Sequence, residues 1–320
     1  MSSISSISPA KKHKNKLSDI LISKKFTYSK AIILFLTPAL LFYAVFILYP
    51  VIESIYYSFC KVEVFGVNAK AQFIGLKNYI DVFNDKVFWK AAANTLIWAF
   101  SSPFLEIPLG LLLALTLKKG TNITKFLRVV WFTPVLMPQI VVGIIWAWIY
   151  NSEWGLLNEV LSKLGLGVLQ TAWLGTPATA LPSLIVVTTW MWTGFNMVIL
   201  LAAVSAIPNE LLESAHIDGA KSYQVLYKII IPMIKPVLAN LMILCFIGKM
   251  KVFDLIWATT LGGPMWSTET VATYTVKRAF YWSTFEKGYP SAIASMWFYL
   301  ILIISIAMTA AFNRKEKLEY

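Results

Sequence analysis

The residue types best suited to a specific interaction lie in a polar segment, residues 208–236, between two strongly apolar stretches. Pro208 fits the first turn of a helix, and the acidic Glu213 complements the positive end of the helix dipole. Gly219 tolerates the positive φ with which many helices end. Helical periodicity then resumes over residues 221–231, until Pro232 and Pro236 impose a kink. The pattern predicts a helical hairpin.

The chemistry of such a hairpin is recognition. Small residues on its surface let another molecule approach closely, and a helix that docks in a groove needs a mixed polar and apolar surface. An ordinary loop with two amphipathic turns is the alternative. The candidate contact residues are Glu213, Ser214, Ala215, Asp218, Gly219 and Ala220.

A second set of candidates lies inside the apolar stretches. Aromatic faces can stack on the C–H surfaces of sugars, while amides and carboxylates can bind sugar hydroxyls. Tryptophan also populates membrane interfaces, which is the competing explanation for each indole. A mid-span amide such as Asn196 requires a polar partner or a wet cavity. The substrate-pathway candidates are Gln139, Trp146, Trp190, Trp192, Asn196 and Asp254.

Two charged residues in the fifth apolar stretch are three positions apart, Lys251 and Asp254. On a continuous helix this spacing places them on one face, so the sequence predicts an ion pair. Its role is either to neutralise both charges at a helix bend or to contact a substrate.

The composition indicates a membrane protein. The chain is 58% hydrophobic and only 14% charged, with a mean hydropathy of +0.67 and a net charge of +12. Its basic residues flank apolar stretches and form no basic domain, which favours a lipid bilayer over nucleic acid. Lipid-exposed spans of this kind must be helices of about 20 residues. The predicted fold is all-α with six spans: Ala31–Ile52, Ala91–Leu117, Val129–Tyr150, Leu181–Ile207, Val237–Thr260 and Pro290–Phe312.

The distribution of Lys and Arg predicts the orientation of these spans. With the N-terminus inside, the inner segments hold 17 basic residues and the outer segments hold 9. The positive-inside rule therefore places both termini in the cytoplasm. The expected organisation is a basic tail over residues 1–30, a membrane domain over 31–312 with the cytoplasmic hairpin 208–236, and a tail over 313–320.

The residue inventory argues against a membrane-embedded enzyme. Such an enzyme would cluster His, Asp or Cys, whereas the only histidines, His13 and His216, fall in predicted cytoplasmic segments. Cys60 and Cys245 lie too far apart for a disulfide framework or metal spacing and are expected to be inert. The sequence carries no Walker motif, so we expect no cofactor on this chain and place ATP and Mg²⁺ on a partner.

The hairpin resembles the coupling loop of ABC importer permeases. The usual motif has Glu-Ala-Ala, then Asp-Gly-Ala, then Ile-x-Leu-Pro. This chain departs from the motif at Ser214 and Ile231, which replace Ala and Leu. The matching residues are Glu213-Ser214-Ala215, Asp218-Gly219-Ala220, Ile229, Ile231-Pro232 and Pro236.

Other segments resemble the sugar-importer branch, the maltose-type and glycerol-phosphate-type permeases, over nearly the whole chain. These segments are Thr37-Pro38-Ala39, Tyr49-Pro50, residues 73–79, Asn94-Thr95, Val252-Phe253-Asp254, residues 261–264, Thr268-Glu269-Thr270, Tyr274 and Ala279-Phe280.

The resemblance implies a type I ABC importer permease in a bacterial inner membrane, working by alternating access. It implies a second homologous permease in a heterodimer, two ATP-binding subunits that bind the coupling helices, and an extracytoplasmic sugar-binding lipoprotein or periplasmic protein. In this picture Glu213 makes a charge contact with the ATPase, Gly219 holds the turn, and Asp218 caps or pairs within the hairpin.

A glycerol phosphate or another small polar solute is the alternative substrate. An anionic substrate favours a cavity arginine, but Arg128, Arg278 and Arg314 all fall outside the predicted spans. Lys249 or Lys251 would have to take that role.

Overall fold

The computed structural model describes residues 32–62, 71–281 and 286–316, and side chains up to residue 312. The predicted N-terminal tail and residues 317–320 lie outside the described residues. The chain divides into two compact units, with the boundary between Tyr56 and Tyr57. The first unit contains most of helix α1 (Ile32–Ser58), whose apolar side chains are exposed from Ile32 to Ile52, as at Phe35. The second unit holds the remaining described elements.

The second unit is built almost entirely from helices. A two-residue antiparallel ladder, β1 (Cys60–Lys61) with β2 (Gln72–Phe73), is a minor addition. The helices are α2 (Lys77–Asn84), α3 (Lys86–Thr116), α4 (Asn122–Phe132), α5 (Gln139–Ile149), α6 (Leu156–Lys163), α7 (Pro177–Ser205), α8 (Asn209–Ile217), α9 (Ser222–Met233), α10 (Lys235–Lys249), α11 (Asp254–Thr259), α12 (Val271–Val276) and α13 (Gly288–Glu316).

Within the described residues, four single helices are long and apolar enough to span a membrane: α1, α3, α7 and α13 up to Phe312. Two bent pairs raise the number to six if each counts as one span. The residues 122–136 bend by 102° into α5, and α9 bends by 72° into α10. The predicted all-α membrane fold is confirmed, and α13 continues four residues into the segment predicted as a tail.

Prolines lie at both bends, but other prolines lie within a helix that continues without a break. Pro134 lies in a 3₁₀ turn and Pro138 immediately precedes α5, so the third predicted span breaks there. Pro236 lies in the first turn of α10, just after the second bend. By contrast, Pro103 and Pro108 lie inside the unbroken helix α3. A proline in a bilayer is tolerated where neighbours satisfy the freed carbonyl group.

The fifth predicted span was wrong beyond Lys249. Helix α10 ends there, and residues 250–253 connect it to the short helix α11, which starts at Asp254. The three-residue spacing of Lys251 and Asp254 therefore crosses a break in the helix. No ion pair joins them, so the predicted pair was also wrong.

The most extensive helix–helix contact is between α3 and α7. Helix α10 also packs on α3, and α11 packs on α5. Small residues permit the close approach of these helices. A Cβ built on Gly110 of α3 would lie 3.0 Å from the backbone N of Met197 in α7. One built on Gly194 of α7 would lie only 1.9 Å from the carbonyl oxygen of Trp131 in α4. At both places the absent side chain sets the distance between helices.

We predict that Gly194→Ala lowers the free energy of unfolding by at least about 1–3 kcal/mol, the usual cost of overpacking. The contact is with backbone, which cannot rotate away. Gly248→Ala in α10 is the matched control, because nothing lies within 4 Å of its Cβ position. Thermal unfolding of the two purified variants measures the difference. Equal stability of both variants would show that α4 and α7 separate freely.

Candidate functional site

A cavity of about 360 Å³ opens in the helical bundle of the second unit. Its walls come from α3, α5, α7, α10 and the residues that lead into α11. Four residues predicted for the substrate pathway line it together: Gln139, Trp192, Asn196 and Asp254. A partly apolar cavity with a few convergent polar groups is the usual form of a small-molecule site.

Trp146 and Trp190, also predicted for the pathway, lie elsewhere. Their rings contact each other edge-on at 5.5 Å between centroids, and Trp146 stacks at a tilt on Tyr150. Both pack against a core cluster that includes the buried Leu184. Trp192 packs against the same cluster but also lines the cavity, which Trp146 and Trp190 do not.

The main feature of the cavity wall that sequence reasoning missed is an ion pair. Glu106 of α3 and Lys249 at the end of α10 approach to 2.7 Å between Oε1 and Nζ. Their side chains are only 1% and 8% exposed. A signal was present in the sequence, because Glu106 and Lys249 both fall inside predicted apolar spans, where ionisable residues usually pair.

Two further cavity residues complete the surroundings of this pair. The Cys245 thiol donates a hydrogen bond to Oε2 of Glu106 at 3.0 Å. The Lys249 ammonium lies 5.2 Å from the centre of the Trp192 ring, a cation–π distance. Both carboxylate oxygens and the ammonium thus have partners within the protein.

The segment between α11 and α12 is fixed by a side chain of α3 and by Lys277, which directly follows α12. The Asn94 amide of α3 donates to the carbonyl oxygens of Trp266 and Glu269, each at 2.9 Å. The Lys277 ammonium contacts the fully buried Glu269 carboxylate and donates to the carbonyl of Leu261. The motifs Asn94-Thr95, 261–264 and 268–270, noted separately in the sequence, therefore form one assembly.

A second acidic residue holds the start of α3. Asp85 caps that helix by accepting from the backbone amides of Val87 and Phe88. Its other oxygen accepts from the hydroxyls of Tyr274 and Tyr289. Burial raises the pKa of Asp85, but these hydrogen bonds outweigh it and hold the pKa below its usual value. Burial and the Asp85 carboxylate raise the pKa of Tyr274.

The predicted helical hairpin is present, as α8 and α9 joined by a tight turn. Gly219 has φ +77°. The amide of Ala220 donates to the carbonyl of Ala215 at 2.9 Å, and that of Gly219 to His216 at 3.0 Å. These two bonds form a Schellman motif, the standard glycine end of a helix. The Asp218 side chain is exposed at the last turn of α8.

The hairpin has an inner and an outer face. Ala215 and Ala220 pack, with Leu212, against a core cluster formed by α3, α7, α9 and α10. Glu213 and Ser214 are exposed on the other side of α8. The core thus holds the hairpin in place, while the Glu213 side chain stays accessible to a partner.

The fold and the cavity define a polytopic helical membrane protein of the transport type, in which a folded hairpin connects two spans. The comparison with known families agrees. Residues 106–317 match the family described as "Binding-protein-dependent transport system inner membrane component". The chain belongs to this family and is an ABC importer permease, as its sequence motifs predicted.

Individual relatives support the assignment. The chain is 35% identical over 278 residues to the probable ABC transporter permease protein YurN of Bacillus subtilis, covering 86% of this chain and 92% of the relative. It is 34% identical over 282 residues to the trehalose/maltose transport system permease protein MalF of Thermococcus litoralis, covering 88% and 93%. A chain of a bacterial ABC transporter involved in the import of the acidic polysaccharide alginate shares the fold, with a TM-score of 0.77, 23% identity and coverage of 92% of this chain and 98% of that one.

Proposed function

We propose that this chain forms part of the path by which an ATP-driven importer moves a sugar or oligosaccharide into the cytoplasm by alternating access. The observation that carries the proposal is the cavity, where Gln139, Asn196 and Trp192 converge from two helices. Amides suit sugar hydroxyls and an indole suits a sugar ring. Relatives named for trehalose, maltose and other saccharides support the same substrate class.

The proposed orientation places both termini and the 208–236 hairpin in the cytoplasm, in agreement with the excess of Lys and Arg on that side. An extracytoplasmic sugar-binding protein delivers the substrate to the opposite side. A second, homologous permease completes the path through the membrane. ATP and Mg²⁺ bind to two separate ATPase subunits.

In this proposal α8 is the coupling helix that fits a cleft on an ATPase subunit. Its exposed Glu213 makes the charge contact, with Ser214 beside it. Ala215, Gly219 and Ala220 shape the turn through the Schellman hydrogen bonds. Closure of the ATPase dimer would move the hairpin, and the core cluster against which it packs would pass that movement to α7 and α10.

The test uses the complete transporter with its partner permease, ATPase subunits and binding protein. Sugar-loaded binding protein is expected to stimulate ATP hydrolysis, and Glu213→Ala is expected to reduce that stimulation about tenfold, the equivalent of one lost charged contact. Glu159→Ala, on the exposed face of α6, is the control for loss of a carboxylate. Stimulation and uptake that survive Glu213→Ala would refute the coupling role. Stimulation by charged solutes alone would favour the anionic substrate.

A further inference from the structure

The charged residues of the cavity wall balance. Glu106 and Asp254 carry the negative charges, and Lys249 and Lys251 carry the positive ones. Lys251 and Asp254 are exposed, so water screens them. The buried pair is different, because the Lys249 ammonium is neutralised by the Glu106 carboxylate, 2.7 Å away. Lys249, the only buried cation among the residues that line the cavity, is therefore already paired with Glu106.

We propose that Glu106 sets the charge selectivity of this half of the transport path. By holding Lys249, it keeps the cavity neutral and suited to uncharged, hydroxyl-bearing solutes, and it prevents the cavity from binding anions such as phosphate esters or uronates. This inference rests on the proposed function and narrows its substrate class. An anion could bind Lys249 only by displacing Glu106, which would leave a carboxylate buried without its counter-charge.

The three-dimensional arrangement supports an electrostatic role for Glu106. Its side chain is almost fully buried, and the Cys245 thiol fixes its second oxygen. Lys249 is held between the carboxylate and the Trp192 ring. Loss of the Glu106 charge would leave the ammonium in the cavity wall with the indole face and no carboxylate partner. The neutral cavity would then become a cationic one.

The test measures the charge of the cavity with thiol reagents. The chain has two cysteines, so Cys60→Ala leaves Cys245 as the single reporter in the cavity wall. Methanethiosulfonate reagents carrying a sulfonate, a trimethylammonium or a neutral methyl group react with the same thiolate. The thiolate fraction is common to both reactions, so it cancels in the ratio of the anionic to the cationic reaction rate. That ratio reports the electrostatic potential at the thiol. A Gly248→Cys reporter, with both native cysteines replaced, provides a second position in open space.

In otherwise unaltered protein the neutral reagent is expected to react fastest and the two charged reagents at similar rates. Glu106→Gln is expected to raise the anionic-to-cationic ratio at least about tenfold, because a full positive charge then acts at short range. The double variant Glu106→Gln/Lys249→Gln should return the ratio to within about threefold of the starting value. Glu159→Gln, which removes an exposed carboxylate from α6, should leave it unchanged.

A ratio that is the same in all variants would overturn the proposal, as would two reporters that no reagent reaches. The labelling needs neither ATP nor a binding protein. An unchanged ratio in a transporter with normal stimulated hydrolysis would therefore refute the charge assignment alone. A shifted ratio in a complex without any stimulation would instead refute the transport function.

Discussion

Replacing Lys249 by methionine is expected to lower the free energy of unfolding by about 3–5 kcal/mol, because a buried ion pair that loses one partner leaves an uncompensated charge. The stranded group is Glu106, whose side chain is 1% exposed. The Cys245 thiol, a weak donor, would be its remaining partner. Thermal unfolding of the purified protein in detergent, followed by tryptophan fluorescence, measures the loss as a fall in the apparent melting temperature.

Two variants separate this effect from a general loss of charge. Lys251→Met removes an exposed lysine from the same cavity wall and should change stability by no more than about 0.5 kcal/mol. Glu106→Gln/Lys249→Met removes both charges and should recover most of the lost stability, as other neutralised buried pairs do. If Lys249→Met unfolds at the same temperature as Lys251→Met, the pair does not stabilise the bundle.

The sequence predicted the spans well because their signal is local. A bilayer span must be helical and apolar, so hydropathy alone locates α3, α7 and α13 to within a few residues. It could not locate the end of α10 at Lys249, because residues 250–260 remain predominantly apolar. Where a chain leaves a helix in such a stretch depends on tertiary contacts, such as the bond from Trp297 to the carbonyl of Met250.

The residues that line the cavity were predictable in part, and helix geometry shows which of them were. Trp192 and Asn196 are four residues apart on α7 and share a face, whereas Trp190 is two residues from Trp192 and points to another side. This periodicity could have excluded one tryptophan from the set. The pairing of Glu106 with Lys249 could not be derived in the same way. It depends on the packing of α10 against α3, which no local pattern specifies.

Gly219→Val is expected to reduce the stimulation of ATP hydrolysis by the binding protein about tenfold, while the protein still folds. Gly219 has φ +77°, and a β-branched residue in that conformation costs about 1–2 kcal/mol. The strain falls on the two hydrogen bonds that close the turn after α8, so the exposed face carrying Glu213 would change direction. The measurement is hydrolysis by the assembled transporter with and without sugar-loaded binding protein.

Gly165 offers a closely matched control for this effect. It has φ +72° and ends α6 with the same pair of bonds, from Gly165 to Ser162 and from Leu166 to Leu161. Neither glycine has an atom within 4 Å of its Cβ position, so valine meets the same backbone strain and no clash at either site. Gly165→Val should therefore cost similar stability and preserve stimulation. Equal loss of stimulation in both variants would mean that coupling fails through general destabilisation, and that the α8 turn has no special part in it.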